Sequence, residues 1–121
     1  VDCLLPGNQA WAKNAAVLIS VNMNPNHDNG KPNVTAMHDI GAANATMALQ
    51  ALSMVIHSHV MGGFDAVKTI EALQLNAKLQ TPIVFIALGY LDAAEKLEEP
   101  FRTRELGERT RKPINEISTL L

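Results

Sequence analysis

Residues Met37 to Ile56 read MHDIGAANATMALQALSMVI, and in these twenty positions Asp39 is the only charged side chain. Ile40, Ala43, Met47, Gln50/Ala51 and Met54 recur at spacings of three and four, which predicts a helix with Asp39 capping its start. A helix with so little charge calls for cover on more than one face. Its alanines allow another helix to come close. An interior position and a subunit interface both meet that need.

Two other segments read as strands. AAVLISV (Ala15 to Val21) and TPIVFIALGY (Thr81 to Tyr90) are apolar, β-branched and nearly without alternation, which predicts burial on both faces. Pro82 suits the start of the second strand and Gly89 its end. Asn8 to Lys13 flanks a short helical turn that contains Trp11. Asn22 to Asn33, rich in asparagine and proline, is a loop. HSHVMGG reads as a turn, after which Asp65 caps a helix over Ala66 to Leu75 with Val67, Ile70 and Leu73 on its inner face. Two strands separated by helices suggest an α/β layer. Two strands do not complete a sheet, so others are expected from the tail, a partner subunit or chain outside this sequence.

From Leu91 the composition changes. Thirteen of the twenty-two charged residues lie there, seven acidic and six basic, with Leu97, Phe101, Leu106 and Ile114 scattered among them. This predicts a tail that runs along a surface and docks in places. Its ending, INEISTLL, is apolar enough to pair with something.

The totals exclude some functions. A net charge of -2 and a pI near 6.1 argue against a generic nucleic-acid binder. Cys3 is the only cysteine, so an internal disulfide and a four-thiolate metal site are impossible. That suits a reducing, cytoplasmic setting. No run is long and apolar enough to span a bilayer, and no signal peptide is visible. The chain begins VDCLL without an initiator methionine. A processed or trimmed piece of a longer protein is one reading of that start.

The chemical residues concentrate in HSHVMGGFD. His57 and His59 offer two metal ligands without a clear third, so ordinary turn histidines, or one bonding near a pocket, are the plainer reading. Gly62 and Gly63 let main-chain N–H groups approach a flat ligand closely. A tight turn with a left-handed residue explains the same pair, and the local pattern alone favours it. Arg109 and Arg111 in ERTRKP face the same way on an extended backbone and can clamp a phosphate. A solvated face neutralised by Glu105, Glu108 and Glu116 is the alternative. Trp11 suits either a ligand wall or the core. GxGxxG, Walker, GxSxG and HExxH motifs are absent.

Taken in order, NQAWAKNAAVLISV, HDIGAANATMALQAL, SHVMGGFDAVKTIEAL, PIVFIALGY and RTRKP make the chain resemble the C-terminal portion of the nitroreductase family of flavin enzymes. The resemblance implies an α+β fold, a nitroreductase-like mixed sheet with flanking helices, incomplete at the N-terminus. Residues 1–121 then form the C-terminal part of one FMN-dependent domain. It also implies a homodimer holding FMN between its subunits, with NAD(P)H as electron donor and a nitroaromatic, quinone or similar small molecule as acceptor. On that resemblance Gly62 and Gly63 match main-chain donors to the flavin near N5 and O4, Met61 matches a residue packed near the ring, and Arg109 and Arg111 match phosphate ligands. A side chain at Gly63 is then expected to obstruct the ring. The long helix matches a dimer-interface helix, and the tail matches a segment wrapping onto the partner.

Two departures stand out. The arginine- and serine-rich motif with which family members usually grip the FMN phosphate does not precede Val1. A companion chain or a longer protein is expected to carry it. Val55-Ile56 replaces a pair that is Gly-Leu in many members. A non-catalytic flavin-binding subunit, or a dimerisation subunit, is the alternative function; a reductive dehalogenase or ene-type reductase is the alternative chemistry.

Overall fold

Pro6 starts the first helix, α1 (Pro6–Ala12). Its ring presets the helical φ, and the N–H it lacks is one the helix leaves unbonded anyway. Leu5 before it is extended, at φ -67° and ψ 154°, as contact with a proline ring requires. Strand β1 (Val17–Met23) follows, then α2 (Ala36–Ser53), β2 (His57–Met61), α3 (Ala66–Ala72) and β3 (Thr81–Gly89). These elements belong to one compact unit, Val1–Leu91, and Asp92–Leu121 forms a second. The computed structural model describes residues 1–119, so the last two leucines of INEISTLL lie outside the described residues.

The fold is α+β. The sheet order is β1-β3-β2, and both pairings are antiparallel. The layer of two strands joined through helices is therefore corrected: the third strand is His57–Met61, a segment whose sequence reads as a turn. Its residues give no apolar run because it is a short edge strand, with His59 and Val60 exposed. What makes it a strand is its pairing with Gly89 to Phe85 of β3. Between β1 and β3 the register skips Ile83, where Asn22 comes to face Pro82. A proline cannot donate to the ladder, and a bulge accommodates it.

β3 is central and buried on both faces, as its sequence predicts: Phe85, Ile86 and Ala87 are 7, 1 and 5% exposed. β1 does not share that burial. Only Val21 is buried and Val17 is half exposed, because β1 is an edge strand in this sheet. One face of the sheet carries the core of Leu4, Ala12, Met61, Phe85 and Ala87, with Trp11, Leu18 and Phe64 packed around it.

α2 begins one residue earlier than predicted, after Thr35, which makes no side-chain cap. Asp39 is thus not the cap. It lies in the first turn and accepts a hydrogen bond from Thr35 Oγ1 at 3.0 Å, where the helix dipole favours a carboxylate. The inward stripe is Ala36, Ile40, Met47 and Ala51; Ala43, Gln50 and Met54 face water. Cover on more than one face is not provided among the described residues, because Leu49, Leu52 and Met37 remain 70, 54 and 54% exposed.

α2 and α3 end alike. After α2, the Ile56 N–H donates to Ala51 and the Val55 N–H to Leu52, both at 2.9 Å, with Val55 at φ 61°. After α3, Leu75 donates to Ile70 and Gln74 to Glu71, with Gln74 at φ 52°. This is the Schellman closure, and it needs a left-handed residue where glycine is usual. α3 is also shorter than predicted, and its buried residue is Thr69 rather than Val67 or Leu73, which are 66 and 47% exposed. The Thr69 hydroxyl is satisfied by donating to the Asp65 carbonyl at 2.7 Å.

The second unit contains a 3-10 turn (Ala94–Lys96), α4 (Phe101–Leu106) and α5 (Ile114–Ile117). Ion pairs Lys96–Asp92 and Arg102–Glu99, both 2.8 Å, brace it locally. No helix among the described residues is long and apolar enough to cross a membrane.

Candidate functional site

Met61 is the last paired residue of β2, opposite Phe85. The chain then passes through Gly62 and Gly63 before Asp65 starts α3, accepting from the Lys68 N–H at 3.0 Å as predicted for a cap. The segment before α1 holds this passage. The Gly63 carbonyl accepts from the Leu5 N–H at 3.0 Å and from Asn8 Nδ2 at 3.0 Å. The Asp65 N–H donates to the Cys3 carbonyl at 2.7 Å, and Leu4 bridges Phe64. Gln9 Nε2 donates to the Leu4 carbonyl at 2.6 Å and stiffens the same segment.

The left-handed turn is not what forms, since neither glycine of the pair has a positive φ. Each glycine has a different physical role. A Cβ on Gly63 would lie 2.8 Å from Asn8 Nδ2, so a side chain there would displace the Asn8 amide. A Cβ on Gly62 would meet nothing within 4 Å. Gly62 is exposed, and neither packing nor backbone conformation demands glycine there. Among the described residues, neither the Gly62 nor the Gly63 N–H donates a hydrogen bond. Two consecutive main-chain donors without partners among the described residues, the first of them at an exposed residue, can serve acceptors of a planar ligand.

Met61 directly precedes the pair. Its side chain is 2% exposed within the core cluster. His59, two residues earlier, meets the ring of Trp11 edge-on, with centroids 4.8 Å apart. Trp11 therefore divides its ring between the core and His59. Among the described residues, no three His, Cys, Asp or Glu side chains gather to hold a metal ion. Arg109 and Arg111 lie in the non-helical segment between α4 and α5 and are exposed. Arg111 Nη1 donates to its neighbour's carbonyl, Thr110 O, at 2.8 Å. Among the described residues neither arginine forms an ion pair with Glu105, Glu108 or Glu116. Sequence reasoning missed Asn8 and Leu5 as holders of the glycine pair. The one available signal was a polar amide in the first turn of a proline-started helix.

The fold and site define an α+β protein that presents a pair of main-chain donors at the end of an edge strand. Residues 4–90 match the nitroreductase family, and the chain belongs to that family. Comparison with curated protein sequences returns no match. Among solved structures, an oxidoreductase containing FMN is 31% identical, with a TM-score of 0.85 over 97% of this chain and 60% of its own. A nitroreductase family protein from Streptococcus pneumoniae is 18% identical, with a TM-score of 0.70 over 98% of this chain and 71% of its own. A third, from Clostridium difficile, is 23% identical, with a TM-score of 0.63 over 88% of this chain and 59% of its own. The latter two show the shared fold. The chain spans about 60% of the length of the FMN-containing relative.

Proposed function

We propose that this chain is part of an FMN-dependent oxidoreductase that passes electrons from NAD(P)H to a nitroaromatic, quinone or similar acceptor. The observation that carries the reading is Gly62: an exposed glycine whose Cβ would meet nothing within 4 Å and whose N–H, like that of Gly63, donates to nothing among the described residues. That arrangement fits an isoalloxazine edge, which presents ring-nitrogen and carbonyl acceptors side by side. Bound FMN would supply the two-electron chemistry; the chain supplies orientation and fixed dipoles. The Gly62 and Gly63 N–H groups hold the ring edge and favour negative charge developing there, as preorganised donors do in oxyanion holes. Arg109 and Arg111, exposed and without carboxylate partners among the described residues, are the proposed phosphate ligands.

The exposed face of α2 supports a homodimer. Leu49, Leu52, Ala45 and Ile56 line an open apolar depression, and a lone helix gains nothing by leaving such side chains in water.

The test is the visible spectrum after FMN is added to the assembled protein, followed by NAD(P)H oxidation with a quinone present. Bound-flavin absorbance with turnover is the expected result. Bound flavin without turnover favours the non-catalytic subunit, and no bound flavin removes the proposal.

A further inference from the structure

We infer that Asn8 is a positioning residue for the two glycine donors. The inference rests on the flavin reading above and adds the device that aims those donors. A Gly-Gly pair is the most freely rotating dipeptide a chain can contain. Left alone, the peptide between Gly62 and Gly63 would swing, and its N–H would spend little time in one direction. The structure fixes the pair at both ends. Met61 is held before it by the ladder to Phe85. After it, the Gly63 carbonyl is held by two donors, the Leu5 N–H and Asn8 Nδ2, each at 3.0 Å.

The Leu5 bond belongs to the main-chain bridge between Leu4 and Phe64, and almost any side chains would permit it. The Asn8 bond depends on one side chain, joins positions 55 apart in sequence and is partly buried. It saturates the second lone pair of the carbonyl. The Asn8 amide also fills the space where a Gly63 side chain would stand, which keeps the residue glycine and α1 close. α1 thus helps set where Gly63 sits, and among the described residues the N–H groups of the pair donate no hydrogen bond. In a holoprotein, losing this brace leaves donors that must be ordered by the ligand itself, at a cost in affinity.

The experiment compares the protein with its Asn8→Ala, Asn8→Asp and Asn8→Gln variants by ¹⁵N–¹H NMR without FMN, and by FMN titration of the assembled protein. Asn8→Ala and Asn8→Asp should shift the Gly62 and Gly63 amide resonances and raise their fast mobility. The Ile19 and Ile86 amides in the sheet should stay unchanged. Asn8→Gln, which keeps the amide donor, should restore part of the order. FMN affinity should fall roughly threefold to tenfold in Asn8→Ala, the size of one net hydrogen bond. Unchanged glycine amides in both Asn8→Ala and Asn8→Asp would overturn the inference, even if FMN binds. Ordered glycines in the parent, mobile ones in Asn8→Ala and no FMN uptake by either would support the positioning role and remove the flavin reading instead.

Discussion

The Asn8 side chain donates to the Gly63 carbonyl at 3.0 Å and lies 2.8 Å from where a Cβ on Gly63 would be. One amide thus holds this glycine and occupies the space a side chain on it would enter. Expectation placed a flavin ring in that space, so that a Gly63 substitution would block the ligand. In the structure a Cβ at Gly63 would first meet the Asn8 amide, whereas a Cβ at Gly62 would meet nothing within 4 Å.

Gly63→Ala should destabilise the protein by about 1 kcal/mol, the net worth of the Asn8 bond it displaces. In an Asn8→Ala background the same change should cost much less, because the obstructing amide is gone. Urea unfolding of the four proteins in this cycle measures the coupling; additive costs would contradict the contact.

Gly62→Val, by contrast, should change stability little, since a Cβ there meets nothing within 4 Å. It should instead abolish or strongly weaken FMN binding by filling the approach to the two donors. Arg111→Ala should weaken binding roughly tenfold to a hundredfold, as loss of a charge-assisted bond does. The bound-flavin spectrum should keep its shape. Titration of both variants beside the parent is the check, and equal affinity for Arg111→Ala removes its phosphate role.

Val55→Gly should stabilise the protein by about 1 kcal/mol. Val55 holds φ 61° in the Schellman closure of α2. A left-handed backbone costs an L-residue about 1–2 kcal/mol, and branching at Cβ adds to it. Glycine removes that strain and returns part of the gain as chain entropy in the unfolded state. A thermal melt should show a rise of a few degrees.

Glu99 accepts from the Thr103 hydroxyl and from Arg102, and these bonds hold its carboxyl below the usual value of 4.5. A depressed folded value means support for α4 that is fully present above pH 4.5 and lost as pH falls through the lowered value. The Thr103 amide resonance should therefore titrate in acid, below the usual glutamate range. Glu99→Gln should flatten that titration.

Leu49→Glu with Leu52→Glu should shift the sedimentation profile from dimer to monomer at micromolar protein, if the α2 face is the subunit interface. Both side chains are more than half exposed in the single chain, so the folded protomer should tolerate the charges. A dimer that persists unaltered in the double variant would place the interface elsewhere.

Much of this was legible beforehand. The helical turn around Trp11, α2, the Asp65 cap and the central strand β3 were all readable, because each carries a local cue: a polar flank, a periodicity, a carboxylate before a helix, an apolar run. The Val55-Ile56 departure also pointed to the right place, a backbone position that glycine would satisfy better. β2 reads as a turn and β1 as doubly buried because the deciding pairings with β3 lie far along the chain. Asp39 reads as a cap for a local reason: the helix starts after Thr35, which places Asp39 in its first turn.

Sequence alone therefore carried the resemblance to the family, through the order of five segments, and most of the elements, since helix periodicity, apolar runs and caps act over a few residues. Tertiary structure decided the strand role of His57–Met61, the edge position of β1 and the different roles of Gly62 and Gly63. The physical reason is that a glycine shows nothing of its surroundings in its own chemistry. Whether the space beside it holds the amide of Asn8 or lies open to a ligand is settled only when residues 55 positions apart are brought together.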